Sequence, residues 1–248
     1  MTKPRSFWTQ IAQTDSGGIA NQKDQVQASL ENEAVLKVLK SLEFKSLLEV
    51  GCANGGFLRQ LRKAYPTVEL HGLDFTPEFI ERAKFIGGDI NYKVGNVLRM
   101  PYEDCSFDVV LSKRCLINLE SGMEQQEAIF EIRRVLKHHG TLILLESTES
   151  GYVALNKARR KVGLPEIKVA SHNRPLGDFS ILGFRGREHE CLGAYYYLTR
   201  IYYPLMTAPK EAEYNTKFHE IAAHIQRGLG DIQVPNVSPL ILWSLRKE

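Results

Sequence analysis

Residues 47–57 read Leu-Leu-Glu-Val-Gly-Cys-Ala-Asn-Gly-Gly-Phe, and this stretch decides the fold. The run from Ser46 to Val50 has the length and apolar character of a strand buried on both faces. It breaks into Gly51, Gly55 and Gly56, whose permissive backbone suits a tight turn passing close to a ligand. Phe57, Leu58, Leu61 and Tyr65 then recur at helical spacing, so the unit is strand, loop, helix. A second strand, Val68 to Leu73, ends in Asp74, about 20 residues past the loop, where a carboxylate at a strand tip can accept hydrogen bonds from a ribose.

The loop suits a dinucleotide poorly. Ala53 stands where a second glycine would let a pyrophosphate reach the backbone, and Glu49 places negative charge beside that position. Both features suit a nucleoside ligand whose other end is cationic, such as S-adenosylmethionine. Glu49-Val-Gly51-Cys-Ala-Asn-Gly55, with Asp74 closing the second strand, resembles the first two motifs of the class I S-adenosylmethionine-dependent methyltransferases, with Ala53 a departure from the usual glycine.

Downstream, Thr76 reads as an N-cap followed by Pro77 and Glu78, with Phe79, Ile80, Ala83 and Ile86 as the buried stripe of a helix ending at Gly87-Gly88. A third strand, Ile90 to Val94, leads to Asn96, which occupies the tip that contacts adenine in the family. Ser106 to Ser112 resembles the fourth strand, and Met123 to Leu136 is a strongly amphipathic helix. Thr141 to Glu146 resembles the fifth strand, and His138-His139 before it read as solvated turn residues at the end of the sheet away from the cofactor. This alternation predicts a right-handed, doubly wound, mostly parallel α/β sheet of seven strands, Rossmann-like, with a cap insertion after the fifth strand. The expected organisation is an N-terminal arm and helix over 1–45, a cofactor core over 46–146, an acceptor-site insertion over 147–213, and a helix and last strand over 214–248 that complete the core.

The resemblance implies a cofactor site made of Glu49, Gly51, Cys52, Ala53, Asn54, Gly55, Phe57, Asp74, Phe75, Asn96, Val97, Ser112 and Lys113. It also implies a closing role for the N-terminal segment, for which Trp8 and Asn21 are the candidates; a tail is the alternative. A helix over Asp24 to Ser41 should face Val26, Leu30, Ala34 and either Leu36 or Val38 inward.

Residues 147–213 break the rhythm. A basic helix with Leu155, Ala158 and Val162 inward closes at Gly163, its Lys157, Arg159, Arg160 and Lys161 reading as a solvated face. Ile167 to Arg174 reads as an extended segment leading polar side chains to a pocket, and His172 is the candidate general base, since an imidazole titrates near neutrality. Arg114, Asn118, Asn173, Arg174, Tyr195 and Tyr196 are the acceptor-binding candidates, Arg174 for an anionic group. The tyrosine-rich stretch Tyr195–Tyr203 reads equally as pocket wall or as core. The insertion is similar to methyltransferases of polysaccharide and secondary-metabolite gene clusters, which implies O-methylation of a carbohydrate or other small metabolite. N- or C-methylation, an NAD-dependent oxidoreductase and a non-catalytic partner protein are the alternatives.

The 248 residues, 43% hydrophobic and 25% charged, fit one globular unit with an insertion, and no apolar run is long enough to span a bilayer. The basic start lacks an apolar core behind it, so no secretory signal is read and a cytoplasmic protein is expected. Cys52, Cys105, Cys115 and Cys191 are scattered, which argues for reduced thiols and against structural zinc. A formal charge of +3 implies no nucleic-acid partner.

Overall fold

Ser46–Val50 forms β1, and all five of its residues are buried, because it lies in the middle of a sheet covered on both faces. The computed structural model describes residues 5–14, 23–177, 183–189, 192–207, 213–229 and 237–248. Asn21, Cys191 and the stretch 178–182 lie outside the described residues. Helices α1 (Arg5–Thr14) and α2 (Gln25–Leu39) precede β1, and α3 (Gly56–Ala64) follows it. Then come β2 (Glu69–Asp74), α4 (Pro77–Ile86), β3 (Asn91–Val94), β4 (Phe107–Lys113), α5 (Gly122–Val135) and β5 (Leu136–Ser147). After them lie α6 (Glu149–Lys161), β6 (Phe184–His189), α7 (Gly193–Tyr197), a π-helical turn Leu198–Tyr202, α8 (Tyr203–Thr207), α9 (Lys217–Leu229) and β7 (Leu240–Lys247).

The seven strands pair in the order β3-β2-β1-β4-β5-β7-β6. β1 to β5 are parallel, and β7 runs antiparallel between β5 and β6. The chain reverses direction across the sheet between β1 and β4, so a crevice opens above their carboxyl ends, where such sheets bind ligands. One apolar cluster packs α2, α3 and the C-terminal helices on one face, and another packs α5 on the opposite face.

Several expectations need correction. β6 falls inside the segment read as a cap, yet it pairs with β7 from Phe184↔Lys247 to His189↔Leu242, so part of that segment is the sheet's edge. β5 begins at Leu136 instead of after Gly140: the register passes from Phe107↔Leu136 to Val109↔Thr141, and residues 137–140 form a bulge that leaves His138 and His139 exposed. On α2 the buried set is Gln27, Leu30, Glu31, Val35, Val38 and Leu39, two of them polar. On α6, Arg159 is buried and Val162 exposed: the Arg159 Nε donates to Pro165 O at 2.8 Å, and a second guanidinium nitrogen donates to Arg200 O.

Candidate active site

Gly51, at the end of β1, has φ +69°, and Gly55 has φ +74°, both in the left-handed region that favours glycine. The amides of Gly51 and Cys52 donate to Leu73 O at 2.8 and 3.1 Å, which ties the loop to the end of β2. A Cβ on Gly51 would lie 2.6 Å from Cys115 Sγ, so the loop after β4 packs directly on the glycine. Ala53 keeps the left-handed conformation of the glycine it replaces, at φ +47°. Its N–H donates to Asp74 Oδ2 at 2.9 Å, while Thr76 N–H donates to Asp74 Oδ1 at 2.9 Å. Asp74 thus braces the glycine loop from the neighbouring strand.

Glu49 is only 3% exposed, and its Oε2 has no hydrogen-bond partner among the described residues. Burial pushes its carboxyl up to about 7, against the pull of the Lys113 ammonium. Lys113, half-buried, donates to Asn32 Oδ1 at 2.6 Å, and its ammonium lies 4.2 Å from the centre of the Phe57 ring. Burial depresses the Lys113 pKa.

The next residues form a short 3₁₀ turn, Leu116–Asn118, organised by Glu146, the residue that ends the expected fifth strand. Glu146, at the tip of β5, is fully buried. It accepts Ser112 Oγ–H at 2.8 Å and the amides of Cys115, Leu116 and Ile117 at 2.9, 3.0 and 3.4 Å. Burial raises its pKa to about 7, opposed by those same hydrogen bonds. The sequence signal was an acidic residue ending the apolar run Thr141 to Glu146, the same pattern that marks Glu49.

These pieces frame one cavity of about 1000 Å³. Of the predicted cofactor residues, Glu49, Gly51, Cys52, Ala53, Phe57, Asp74, Phe75, Asn96, Val97 and Lys113 line it, as does Trp8. Asn54, Gly55 and Ser112 stand behind the wall: Asn54 O accepts from Arg59 at 2.6 Å, and Ser112 holds Glu146. Asn96 uses its Oδ1 to accept Leu98 N–H at 3.0 Å, which presents its amide nitrogen as a donor.

On the far side, Arg114, Asn118, His172 and Asn173 also line the cavity. The His172 ring lies 5.2 Å from the Phe7 ring and 5.9 Å from the Trp8 ring, which brings α1 over the opening. Arg174 is displaced from its expected role. Its backbone N–H donates to Ile117 O at 2.6 Å and its Nε to Glu120 O at 3.3 Å, so it staples the 172–174 segment to the loop after β4 without lining the cavity. Tyr195 and Tyr196 do not line the cavity either; both are buried, and the Tyr195 hydroxyl donates to the Asp24 carboxylate at 2.8 and 3.0 Å. Two residues of α2 lie outside the expected set: Asn32 lines the cavity, and the buried Glu31 beside it holds Arg114 from behind the wall.

Residues 48–144 match the family model described as "Methyltransferase domain". The matched span runs from β1 into β5. The chain is 33% identical over 106 residues to demethylmenaquinone methyltransferase of Deinococcus radiodurans, covering 41% of this chain and 43% of that protein. It is 31% identical over 107 residues to ajmaline N-methyltransferase of Rauvolfia serpentina, covering 41% and 35%. The chain thus matches less than half the length of these curated relatives. Among solved structures, a chain from the Haloferax volcanii complex of the Trm112 methyltransferase activator with a methyltransferase aligns over 100% of this chain and 99% of its own, with TM-score 0.61 and 16% identity. The N-methyltransferase NodS of Bradyrhizobium japonicum, solved with S-adenosyl-L-homocysteine, aligns over 98% and 97%, with TM-score 0.57 and 15% identity. At such identities these two likenesses concern the fold. Among the described residues, no helix is long and apolar enough to cross a membrane.

Proposed function

We propose that this protein binds S-adenosylmethionine above the ends of β1, β2 and β3 and transfers its methyl group to a small-molecule acceptor. The observation that carries the reading is Glu49: a buried carboxylate with one unpartnered oxygen, beside a glycine loop and on a cavity wall. Such a group is costly alone and is stabilised by a cationic ligand. The ammonium and sulfonium of S-adenosylmethionine supply that charge; the two phosphates of a dinucleotide would oppose it. Asp74 would accept the ribose hydroxyls, and Asn96 with Phe75 and Val97 would hold the adenine. When bound, the cofactor supplies an electrophilic methyl group.

The chain's own tasks are to orient the acceptor, exclude water and accept a proton. For an oxygen acceptor, such as a carbohydrate or other small metabolite hydroxyl, His172 is the group on the cavity wall to take that proton, with Phe7 and Trp8 screening it. A nitrogen or carbon acceptor is the second reading, favoured by the names of the two relatives, and it leaves His172 a positioning role.

Calorimetric titration with S-adenosylmethionine and, separately, NAD tests the first step: micromolar binding of the former alone is expected, and binding of NAD alone would overturn the reading. His172→Ala should then cut turnover about 100-fold or more with cofactor affinity unchanged. An unchanged pH–rate profile would remove it as the base.

A further inference from the structure

Arg114 is the point at which the C-terminal helical layer reaches the cavity. Its φ of +54° is unusual for a side chain of that size, and its NH1 donates to Glu31 Oε1 at 3.0 Å. Glu31 is 1% exposed and also accepts Gln27 Nε2–H at 2.7 Å. Gln27 Oε1 in turn accepts from Arg200 at 3.1 Å, and Arg200 donates to Asp24 at 2.6 Å. A continuous buried chain of polar groups thus runs from Asp24 to the cavity wall. Buried ion pairs rarely repay their desolvation better than apolar residues would, so what this one supplies is a fixed orientation for the guanidinium.

Arg114 presents five N–H donors, and among the described residues one nitrogen is engaged, by Glu31. About a third of its side chain is exposed, on the cavity wall. The carboxylates on the same side are otherwise committed. Glu33 holds Arg227 at 2.7 and 2.8 Å, and Glu124 caps its own helix through Glu120 N–H at 2.6 Å. Glu120 is exposed at the rim. The remaining guanidinium donors lie in the planar fork that pairs with two oxygens of one anion.

We propose that Arg114, positioned by Glu31, anchors an anionic group of the methyl acceptor, so that the acceptor is a small molecule carrying a carboxylate or phosphate. This rests on the methyltransferase reading and names its substrate class; the anchoring role moves from Arg174, which does not line the cavity and whose Nε donates to Glu120 O.

The test uses matched probes on the full chain: phenylacetate, phenyl phosphate, phenylacetamide and phenethylamine, titrated by NMR with and without saturating S-adenosylhomocysteine. One or both anions should bind at least tenfold more tightly than the amide and the amine, and which anion wins separates carboxylate from phosphate. Arg114→Gln combined with Glu31→Gln removes both charges and so leaves no unpaired buried ion; it should abolish the preference while S-adenosylhomocysteine affinity stays within twofold. Glu31→Gln alone should weaken it about threefold or more. Absence of anion preference, preference for the amine, or a preference that survives the double variant would overturn the proposal. Failure of S-adenosylhomocysteine to bind would instead count against the cofactor reading, and the titrations without it still decide the anion question.

Discussion

The two halves of the cavity are built by different means. Above β1 and β2 the wall is mostly backbone and short side chains: Gly51, Cys52, Ala53 and Asp74, tied together by amide hydrogen bonds across adjacent strands. Beyond β4 the wall is long side chains held by residues remote in sequence, with Glu31 and Arg114 separated by 83 positions. The first half depends on close approach, and the second on positioned charge. Each should therefore fail in its own way when changed.

The largest expected effect lies in the backbone half. Gly51→Ala puts a Cβ 2.6 Å from Cys115 Sγ and 2.7 Å from Cys115 Cβ, in a left-handed conformation. Overpacking and backbone strain together should cost about 3 kcal/mol and abolish cofactor binding. Chemical denaturation and calorimetry read both. A fully stable variant that still binds would mean that the loops can separate freely, and the contrast between the halves would be lost.

Next is Glu49, the buried carboxylate of the backbone half whose Oε2 has no hydrogen-bond partner among the described residues. Its folded pKa, about 7, lies above the ordinary 4.5, so between these values the folded state holds a proton that the unfolded chain has released. Stability attributable to this group therefore falls as pH rises from 4.5 towards 7, by up to about 3 kcal/mol. Glu49→Gln should recover part of that at pH 8 and none at pH 4. Binding runs the opposite way, because a cationic ligand favours the ionised carboxylate: affinity should climb with pH through about 7, with proton release. In Glu49→Gln it should be flat and weaker by about 2 kcal/mol. A pH-independent affinity in the unaltered protein would show that Glu49 does not meet the cation.

Asp74→Ala should lower cofactor affinity by about 1 to 3 kcal/mol. It should also lower stability, since the carboxylate holds the amides of Ala53 and Thr76. A loss of stability with intact affinity would make Asp74 a brace and nothing more.

The same contrast explains what could be read from sequence. β1 matches its expected bounds, Ser46–Val50, and the glycine loop and Asp74 fall where spacing placed them, because strand burial and left-handed turns are local demands. β6 escaped notice because its residues, Phe-Arg-Gly-Arg-Glu-His, carry the charges of an exposed edge and no apolar alternation. The tyrosine cluster resolved as core at Tyr195 and Tyr196 only because Asp24 and Arg200 supply partners across the fold. Glu31 is a buried carboxylate outside the expected inward set of α2, and nothing near it in the chain announces Arg114.

The smallest effect is the finest probe of the backbone half. Ala53 holds φ +47°, where a side chain costs about 1 to 2 kcal/mol, yet its N–H still reaches Asp74. Ala53→Gly removes that strain but gives the unfolded chain back about 0.4 to 1 kcal/mol of flexibility, so a net stabilisation of about 1 kcal/mol or less should appear in denaturant melts. Cofactor affinity should stay within twofold, because the loop already follows the glycine path. A tenfold gain would show that the alanine methyl group stands in the ligand's way, and that this half of the cavity, like the other, is shaped by a side chain.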